Sequence, residues 1–424
     1  MKTKLGALLS LVLAVSACAP AVTPGADIAI ARADVPRASA DPAAASGPGA
    51  ALSAFGLDLY RAVAAGEPNV VLSPTSIALA LAMARAGARG QTAAEMDAVM
   101  HRLASDDHAT WLNALDQVLA TRSGTFEDAS GAGLPVALRI ANAPFAQQGM
   151  PLEPAYLEAL ASRFRAGLRL VDYVAETEAA RLLINGWVDG QTEHRIPELL
   201  AQGILNRDTR LTLVNAIYLK APWLTPFPAV ATAPAAFTRA DGTTVEVPMM
   251  ATTAAMRHAT GTGWRAAEIP YVGGSLAMTV IVPDDLATFE QALTADQLAS
   301  ITAGLAETLV SLTFPKFSIE TKAQLADVLA ALGMPSAFDG RADFSGITKA
   351  ERLAISDVIH QANIDVDEKG TEAAAATAVV MGRTSAPAEP VTVRVDRPFL
   401  FLLRDVPSGA ILFLGRVGDP SITR

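Results

Sequence analysis

The stretch NVVLSPTSIALALAMARAGARGQTAAEM, residues 69–96, gives the clearest structural signal in the chain. Within it, the apolar residues of SIALALAMARAGA (76–88) recur every three or four positions, which is the spacing of an α-helix with a buried face. Ser73 is a good N-cap residue, and Pro74 suits the first helical turn, where its missing N–H leaves no hydrogen bond unmade. The stretch therefore predicts a buried helix that begins just after Ser73.

The segments around this helix place helices early in the chain and strands late. Helical spacing also occurs in ALSAFGLDLYRAVAAG (51–66) and in PAYLEALASRF (154–164). Runs rich in β-formers and bounded by Pro, Gly or Asp follow, namely LTLVNAIYLKA (211–221), SLAMTVIVPDD (275–285), ETLVSLTFPKFSIE (307–320), VTVRV (391–395) and PFLFLLRD (398–405). Because helices and strands do not alternate regularly, the pattern predicts an α+β fold with mixed sheets.

The composition excludes several classes of protein. The chain has 424 residues, of which 51% are hydrophobic and 18% charged, so it can bury a large core. A net charge of −10 argues against nucleic acid as a partner. The single cysteine excludes a disulfide framework, and the five histidines include no pair four residues apart. We therefore expect no structural metal and no cofactor.

The first residues, MKTKLGALLSLVLAVSAC, are typical of an export signal. Two lysines precede an apolar run from Leu5 to Val15, which is too short to span a bilayer as a helix. The residues before Cys18 resemble a bacterial lipobox, so we expect a signal peptide over 1–17 and a lipid on Cys18. An ordinary signal peptide, with Cys18 incidental, is the alternative. By resemblance to Gram-negative sorting, Ala19 favours the outer membrane. The sequence does not show which face of that membrane carries the protein, so cell-surface and extracellular locations both fit.

The next segment, residues 18–48, is rich in Ala, Pro and Asp without a sustained period. Such a composition buries too little apolar surface to offset the conformational entropy that is lost when a chain becomes ordered. It therefore predicts a semi-extended tether ahead of a single domain over 49–424. That domain contains no nucleophile elbow, zinc-protease helix motif, phosphate-binding loop or dinucleotide fingerprint. The residues alone thus indicate no catalytic site.

At this point residues 69–96 and a set of further segments, in the same order along the chain, resemble the serpin family. The further segments are INGWVDGQTEHRIPELL (184–200), LTLVNAIYLKAPWLTPF (211–227), VPMM (247–250), EIPY (268–271), LTFPKFSIE (312–320), LGMPSAFDGRADFSGI (332–347), LAISDVIHQANIDVDEKGTEAAAATAV (353–379), DRPFLFLLRD (396–405) and LGRVGDP (414–420). The resemblance covers essentially all of 50–420. It implies a monomer with the serpin fold: three β-sheets, about eight to nine helices and an exposed reactive-centre loop over about 368–395.

In serpins the cleaved loop inserts into the main sheet as an extra strand, and by resemblance we expect the same here. The loop has the composition that insertion requires. Residues 370–386, GTEAAAATAVVMGRTSA, contain no proline and one acidic residue. An alanine run alone would also suit a helix. A segment that must become a central sheet strand, however, has to be small, largely uncharged and free of proline, because proline deletes a ladder hydrogen bond and a charge would be buried unpaired. The expected hinge residues are Glu368, Gly370, Thr371, Ala373, Ala375 and Thr377.

The resemblance also implies a function. Serpins are cleaved by a target protease and trap it as an acyl-enzyme, so the catalytic residues belong to the target and this chain is not an enzyme. We expect a suicide inhibitor of serine-type endopeptidases, with cysteine proteases as further candidates. A non-inhibitory serpin that serves as a surface binding or adhesion protein is the alternative, and a surface hydrolase is the third hypothesis.

The position of the cut bond decides the class of target. The usual family count of 17 residues from Glu368 gives Thr384, and hence the bond Thr384–Ser385, which suits elastase- or subtilisin-like proteases. A cut one residue earlier would place Arg383 in the specificity pocket of a trypsin-like protease. We prefer Thr384–Ser385 and keep Arg383–Thr384 as the alternative.

Supporting residues follow from the same resemblance. Ser73, Ser76, Asn215 and His360 match a polar cluster beneath the main sheet, where the strands must part to admit the loop. Trp223 matches the aromatic residue at the end of the sheet where insertion begins. Lys316 and Glu368 match an ion pair that braces the hinge.

Overall fold

The computed structural model describes residues 28–101, 106–128, 130–372 and 389–423. In these ranges the chain forms nine α-helices: α1 Gly49–Val63, α2 Pro74–Arg85, α3 Gly90–Val99, α4 Asp106–Ala120, α5 Pro154–Phe164, α6 Thr177–Gln191, α7 Leu286–Ala292, α8 Ala295–Ala303 and α9 Ala326–Leu332. The early strands are β1 Ala29–Ala31, β2 Asn69–Leu72, β3 Gly124–Glu127, β4 Gly133–Gln147, β5 Leu168–Val171, β6 Leu211–Pro222, β7 Ala233–Thr238, β8 Thr244–Gly261 and β9 Trp264–Pro270. The later strands are β10 Leu276–Pro283, β11 Ala306–Pro315, β12 Phe317–Gln324, β13 Asp357–Asp367, β14 Gly370–Thr371, β15 Val391–Arg394, β16 Phe399–Asp405 and β17 Ile411–Val417.

The strands join in two hydrogen-bonded networks. The first sheet has the order β1-β5-β4-β6-β14-β13-β12, with β3 paired to β4. The second has the order β15-β11-β8-β9-β10-β16-β17-β2, with β7 paired to β8. The 18-residue β8 pairs with β7, β11 and β9 along its length, and this joins strands that would otherwise form separate sheets. The architecture is the α+β arrangement of mixed sheets that the sequence predicts.

Helix α2 lies between the two sheets, in contact with β4 and β6 of the first and β17 of the second. It begins as predicted: the Ser76 N–H donates to Ser73 Oγ at 3.3 Å, and Pro74 occupies the first turn. Every residue from Pro74 to Ala84 is buried. A helix with apolar side chains on opposite faces needs such a position, because both faces must be covered.

The tether predicted over 18–48 is wrong for residues 28–48, which belong to the folded body. Strand β1 pairs with β5 and extends the first sheet by one edge strand. Gly167 permits this close approach, since a Cβ there would lie 2.5 Å from Ile30 Cγ2. Residues 18–27, Cys18 among them, lie outside the described ranges. Of the part of the chain that the structure describes, no helix is long and apolar enough to cross a membrane.

Further contacts hold this N-terminal segment to the helices. The Arg37 guanidinium donates to Asn113 Oδ1 at 2.7 Å and pairs with Asp116 Oδ2 at 2.6 Å, both on α4. The Ala38 N–H donates to the carbonyl of Ser162 on α5 at 2.8 Å. An Ala- and Pro-rich segment can therefore form an edge strand and pack against helices as well as remain a free tether. Its composition does not decide between these, because the partners that fix its position are distant in sequence.

Candidate functional site

The start of the predicted loop is a two-residue strand inside the first sheet. After β13 the chain turns through two residues and returns as β14, which is antiparallel to both β13 and β6. Gly370 and Thr371 lie opposite Pro222 and Ala221 of β6, respectively. Strand β14 therefore already occupies one end of the boundary between β6 and β13.

Gly370 is required at this position by its surroundings. Its φ of 150° lies in a region that side chains rarely allow. A Cβ on Gly370 would come within 2.3 Å of the Ala221 carbonyl oxygen and 2.7 Å of Pro222 Cα. Because those atoms belong to a central strand, the backbone of the hinge can enter the sheet here only as glycine.

Thr371 faces the interior and is 2% exposed. Its hydroxyl shares a hydrogen bond of 2.5 Å with the Tyr271 phenol. Tyr271 in turn stacks on Trp223, with ring centroids 4.4 Å apart and 12° between planes. Burial raises the pKa of Tyr271 well above its ordinary value, so the phenol stays protonated. Trp223, the predicted aromatic at this end of the sheet, donates from Nε1 to the Asp367 carbonyl at 3.0 Å.

Glu368 and Lys316 form an ion pair beside the hinge. Lys316 Nζ lies 2.9 Å from Glu368 Oε2, and Thr232 Oγ1 donates to Glu368 Oε1 at 2.8 Å. Partial burial alone would raise the pKa of Glu368, but the hydrogen bonds from Lys316 and Thr232 hold it below its ordinary value. The carboxylate is thus charged at neutral pH and fixes the turn that leads into β14.

Beyond the hinge, β6 and β13 pair directly with each other. Their parallel ladder has six residue pairs, from Thr212 opposite Asp357 to Ile217 opposite Ala362. A strand that continued β14 down the sheet would have to replace this ladder. The boundary is thus held apart at one end and closed along the rest.

The four residues of the predicted polar cluster meet beneath this closed ladder. The Ser73 N–H donates to His360 Nε2 at 3.2 Å, and His360 Nδ1 contacts Asn215 Oδ1. The Asn215 amide group donates to Ser76 Oγ and to Asn142 Oδ1, and Ser76 Oγ donates to Asn142 Oδ1 at 3.2 Å. The network therefore ties α2 to three adjacent strands, β4, β6 and β13.

His360 is neutral in this network. Because the Ser73 N–H can only donate, His360 Nε2 is the acceptor, and Nδ1 carries the proton and donates to Asn215 Oδ1. Burial lowers the pKa of His360 from 6.5 to about 3. The side chain consequently serves as a hydrogen-bond bridge between β6 and β13.

The remaining predicted site residues lie outside the described ranges. These are the hinge residues Ala373, Ala375 and Thr377, the candidate reactive-bond residues Arg383, Thr384 and Ser385, and Cys18. Among the described residues, no group of three or more His, Cys, Asp or Glu side chains could hold a metal ion.

Two residues of the site were not assigned a role from the sequence. Asn142 completes the polar cluster from β4, directly opposite Asn215 in the sheet register. Tyr271, the last residue of the EIPY motif, holds Thr371. An amide inside the apolar run of β4 and an aromatic residue at the end of a motif were the available signals, but neither shows which partner the fold supplies.

Comparison with known proteins identifies the family. A sequence model described as Serpin (serine protease inhibitor) matches residues 50–420. An uncharacterized serpin-like protein of Thermococcus kodakarensis is 39% identical over 374 residues, which is 87% of this chain and 85% of that protein. The leukocyte elastase inhibitor of Bos taurus is 36% identical over 381 residues, covering 86% of this chain and 97% of that protein.

Solved structures agree with these relatives. The native state of tengpin, a thermophilic serpin, superposes with a TM-score of 0.79 at 25% identity, covering 92% of this chain and 97% of tengpin. Uncleaved ovalbumin superposes with a TM-score of 0.76 at 26% identity, covering 88% of this chain and all of that chain. The hinge strand, the polar cluster and these similarities lead to one conclusion: the chain belongs to the serpin family.

Proposed function

We propose that this chain is a suicide inhibitor of serine-type endopeptidases. The observation that carries the proposal is β14: the hinge lies between β6 and β13, paired to both, so the site for a further strand has already begun to form. Similarity to proteins named leukocyte elastase inhibitor supports the same function. The chain supplies the bait and the sheet, and the protease supplies the catalytic residues.

The covalent step uses the chemistry of the target. The protease serine oxygen attacks the carbonyl carbon of Thr384 or of Arg383 and forms an ester. The amide bond to the next residue breaks, and its nitrogen leaves as an amine with a proton delivered by the protease histidine. Water would then hydrolyse the ester and complete ordinary cleavage. Inhibition requires that the cleaved loop insert into the sheet before this second step.

The register of β14 defines where an inserted loop would lie. Continued in the same register, residue 377 would come opposite Asn215 of β6 and His360 of β13. It would share the inward face of Thr371, because successive side chains alternate. Thr377 would therefore bring a hydroxyl between two polar groups that now bond to each other. Insertion would replace their contact without leaving a buried polar atom unpaired.

The energetics favour insertion. An inserted strand would remove six direct pairs between β6 and β13 and form new pairs on both of its sides. Roughly a dozen new ladder bonds at about 1 kcal/mol each, with burial of alternate side chains, drive the change. About 14 residues at roughly 3.3 Å each would carry the attached protease some 46 Å.

The experiment that tests this function is an adduct assay. The purified domain is mixed with trypsin, elastase and subtilisin, and the products are boiled in SDS and separated on a gel. We expect a covalent adduct with at least one protease. Cleavage of the loop without an adduct, at every ratio of the two proteins, would favour a non-inhibitory serpin instead.

The mass of the released C-terminal fragment then identifies the cut bond. A fragment that begins at Ser385 supports the cut after Thr384, and one that begins at Thr384 supports the cut after Arg383. We expect elastase- or subtilisin-like proteases to give the first result and trypsin-like proteases to give the second.

We also propose that the chain is exported and anchored by a lipid on Cys18, at the outer membrane or cell surface. The lipobox-like residues before Cys18 support this. Expression in a Gram-negative host with an alkyne fatty acid should label the wild-type chain and leave Cys18→Ser unlabelled. Equal labelling of both would contradict the anchor.

A further inference from the structure

The segment that follows α6 crosses the outer face of the first sheet. We call residues 193–200 the crossing segment. Glu193 pairs with Arg139 of β4, the Asn363 side chain of β13 donates to the Arg195 carbonyl at 3.1 Å, and Lys322 of β12 donates to the Glu198 carbonyl at 2.9 Å. The crossing segment therefore spans the boundary between β6 and β13.

One side chain of this segment reaches the hinge. Arg195 forms an ion pair through Nε with the Glu372 carboxylate, and its Nη1 lies 3.4 Å from Asp365 Oδ2. The Glu372 N–H donates to the Asp365 carbonyl at 3.0 Å, and Ser318 Oγ donates to Asp365 Oδ1 at 2.5 Å. Arg195 thus links the crossing segment, β13 and the first residue after β14.

The hinge is consequently held from both faces. Thr371 is held on the inner face by Tyr271, and Glu372 on the outer face by Arg195. Glu372 also has a φ of 50°, a left-handed conformation that is unfavourable for a residue other than glycine. The chain leaves the sheet at this residue, so it is here that β14 must straighten when the loop inserts.

The sequence beyond the hinge does not define a register by itself. Residues 373–376 are four alanines, and 378 is another. Side chains of equal size fit a sheet equally well after a slip of two residues, because such a slip keeps every side chain on its original face. The register of the new strand must therefore be set by residues at its start.

We propose that Arg195 is a positioning residue for loop insertion: by holding Glu372, it keeps β14 in the register of the inserted strand and so provides the nucleus from which insertion proceeds. This inference rests on the proposed inhibitory function. It extends that function by naming a residue, remote in sequence from the loop, that governs the partition between trapping and simple cleavage.

The test compares variants that differ only in this contact. Arg195→Met and Glu372→Gln remove the ion pair and keep most of the side-chain volume. Arg139→Met is the matched control, because it removes an ion pair from the same crossing segment that does not involve the hinge. The double variant Arg195→Glu with Glu372→Arg restores an ion pair of reversed polarity.

Two quantities are measured for each variant. The first is the stoichiometry of inhibition, the number of inhibitor molecules consumed for each protease inactivated. The second is the rate at which the domain gains thermal stability after its loop is cut, which reports insertion whether or not a protease is trapped. We expect Arg195→Met and Glu372→Gln to insert about threefold to tenfold more slowly and to raise the stoichiometry accordingly. Arg139→Met should match the wild type, and the double variant should recover.

The outcomes separate the two proposals. Insertion by Arg195→Met at the rate of Arg139→Met would overturn the role of Arg195, even if the wild type inhibits. Absence of an adduct with the wild type would refute the inhibitory function, and the insertion rate would still decide the role of Arg195. Slow insertion by the double variant as well would also overturn it, because charge pairing would then not be the property that matters.

Discussion

Thr371 is buried in the present sheet and would keep the same inward face if the loop inserted. It is the second and last residue of β14, is buried on the inner face, and bonds to Tyr271. A threonine here needs one hydrogen-bond partner, which the phenol supplies, whereas a charged side chain would have none.

We predict that Thr371→Arg converts the proposed inhibitor into a substrate. The guanidinium would have to be buried beside Tyr271 and Trp223, so the hinge would leave the sheet and insertion would be slow. The measurement is the ratio of adduct to cleaved domain on an SDS gel, which should fall by at least about tenfold. Val174→Arg adds the same charge at an exposed position between β5 and α6, outside the loop, and should leave the ratio unchanged.

His360 gives the polar cluster a pH dependence. Its pKa is lowered to about 3 in the folded state, whereas in the unfolded chain it takes the ordinary value of 6.5. The unfolded chain therefore binds a proton below pH 6.5 that the folded chain rejects. Stability is full above that pH and falls as the pH drops toward 3, with a limiting slope of about 1.4 kcal/mol per pH unit.

Urea unfolding between pH 7 and pH 5 measures this effect. His360→Gln should be less stable than the wild type at pH 7 but should lose less stability on acidification. Partial burial also lowers the pKa of His258, so His258 contributes to the loss of stability on acidification with the same sign. His258→Gln is therefore measured beside His360→Gln to separate the two contributions. Parallel pH profiles for the wild type and His360→Gln would contradict the assignment of a neutral, buried His360.

At the scale of elements, local signals predicted much of the fold. The start of α2 follows from Ser73 and Pro74, and the run 211–221 became β6 because its β-rich pattern ends at a proline. The run 307–320 forms two strands, β11 and β12, which lie in different sheets. The strand pairing is interrupted at Lys316, which lies between them. Periodicity shows that a strand exists but not which sheet it joins.

The features that sequence analysis missed depend on partners far away in the chain. Strand β1 is three residues long and exists because β5 offers an open edge. Asn142, Tyr271 and Arg195 gain their roles from contacts with residues 66 or more positions away. The placement of Gly370 and Thr371 inside the sheet could not be predicted either, because their composition suits an exposed loop and a strand equally.

We predict that the N-terminal segment, residues 28–48, stabilises the domain. Arg37→Ala removes one ion pair and hydrogen bonds to α4 at a partly buried site, which should lower the free energy of unfolding by about 1–3 kcal/mol. Chemical denaturation of the domain with residues 28–424 measures this change. Arg32→Ala, an exposed position of the same segment, should change it by less than about 0.5 kcal/mol.

At the scale of the whole molecule, the first sheet has one boundary at which a further strand could be added. Its outer strands pair continuously, while the boundary between β6 and β13 is opened by β14 at one end and closed by six pairs below. The polar cluster lies under that ladder and the crossing segment lies over it. Hinge, ladder and cluster thus form one line along which a new strand would enter, which is the basis of the proposed inhibition.

The most direct test of this account is a titration of protease activity with the purified domain. A fixed amount of each candidate protease receives increasing amounts of domain, and the residual activity is followed with the mass of the products. If the chain is a suicide inhibitor, the activity of one protease falls to zero near a one-to-one ratio. After denaturation, the product should be a single ester-linked complex without the C-terminal fragment, which is no longer joined covalently and is held in the folded domain only through β15, β16 and β17. Full activity at every ratio, with the domain cut in the loop and no complex formed, would contradict it.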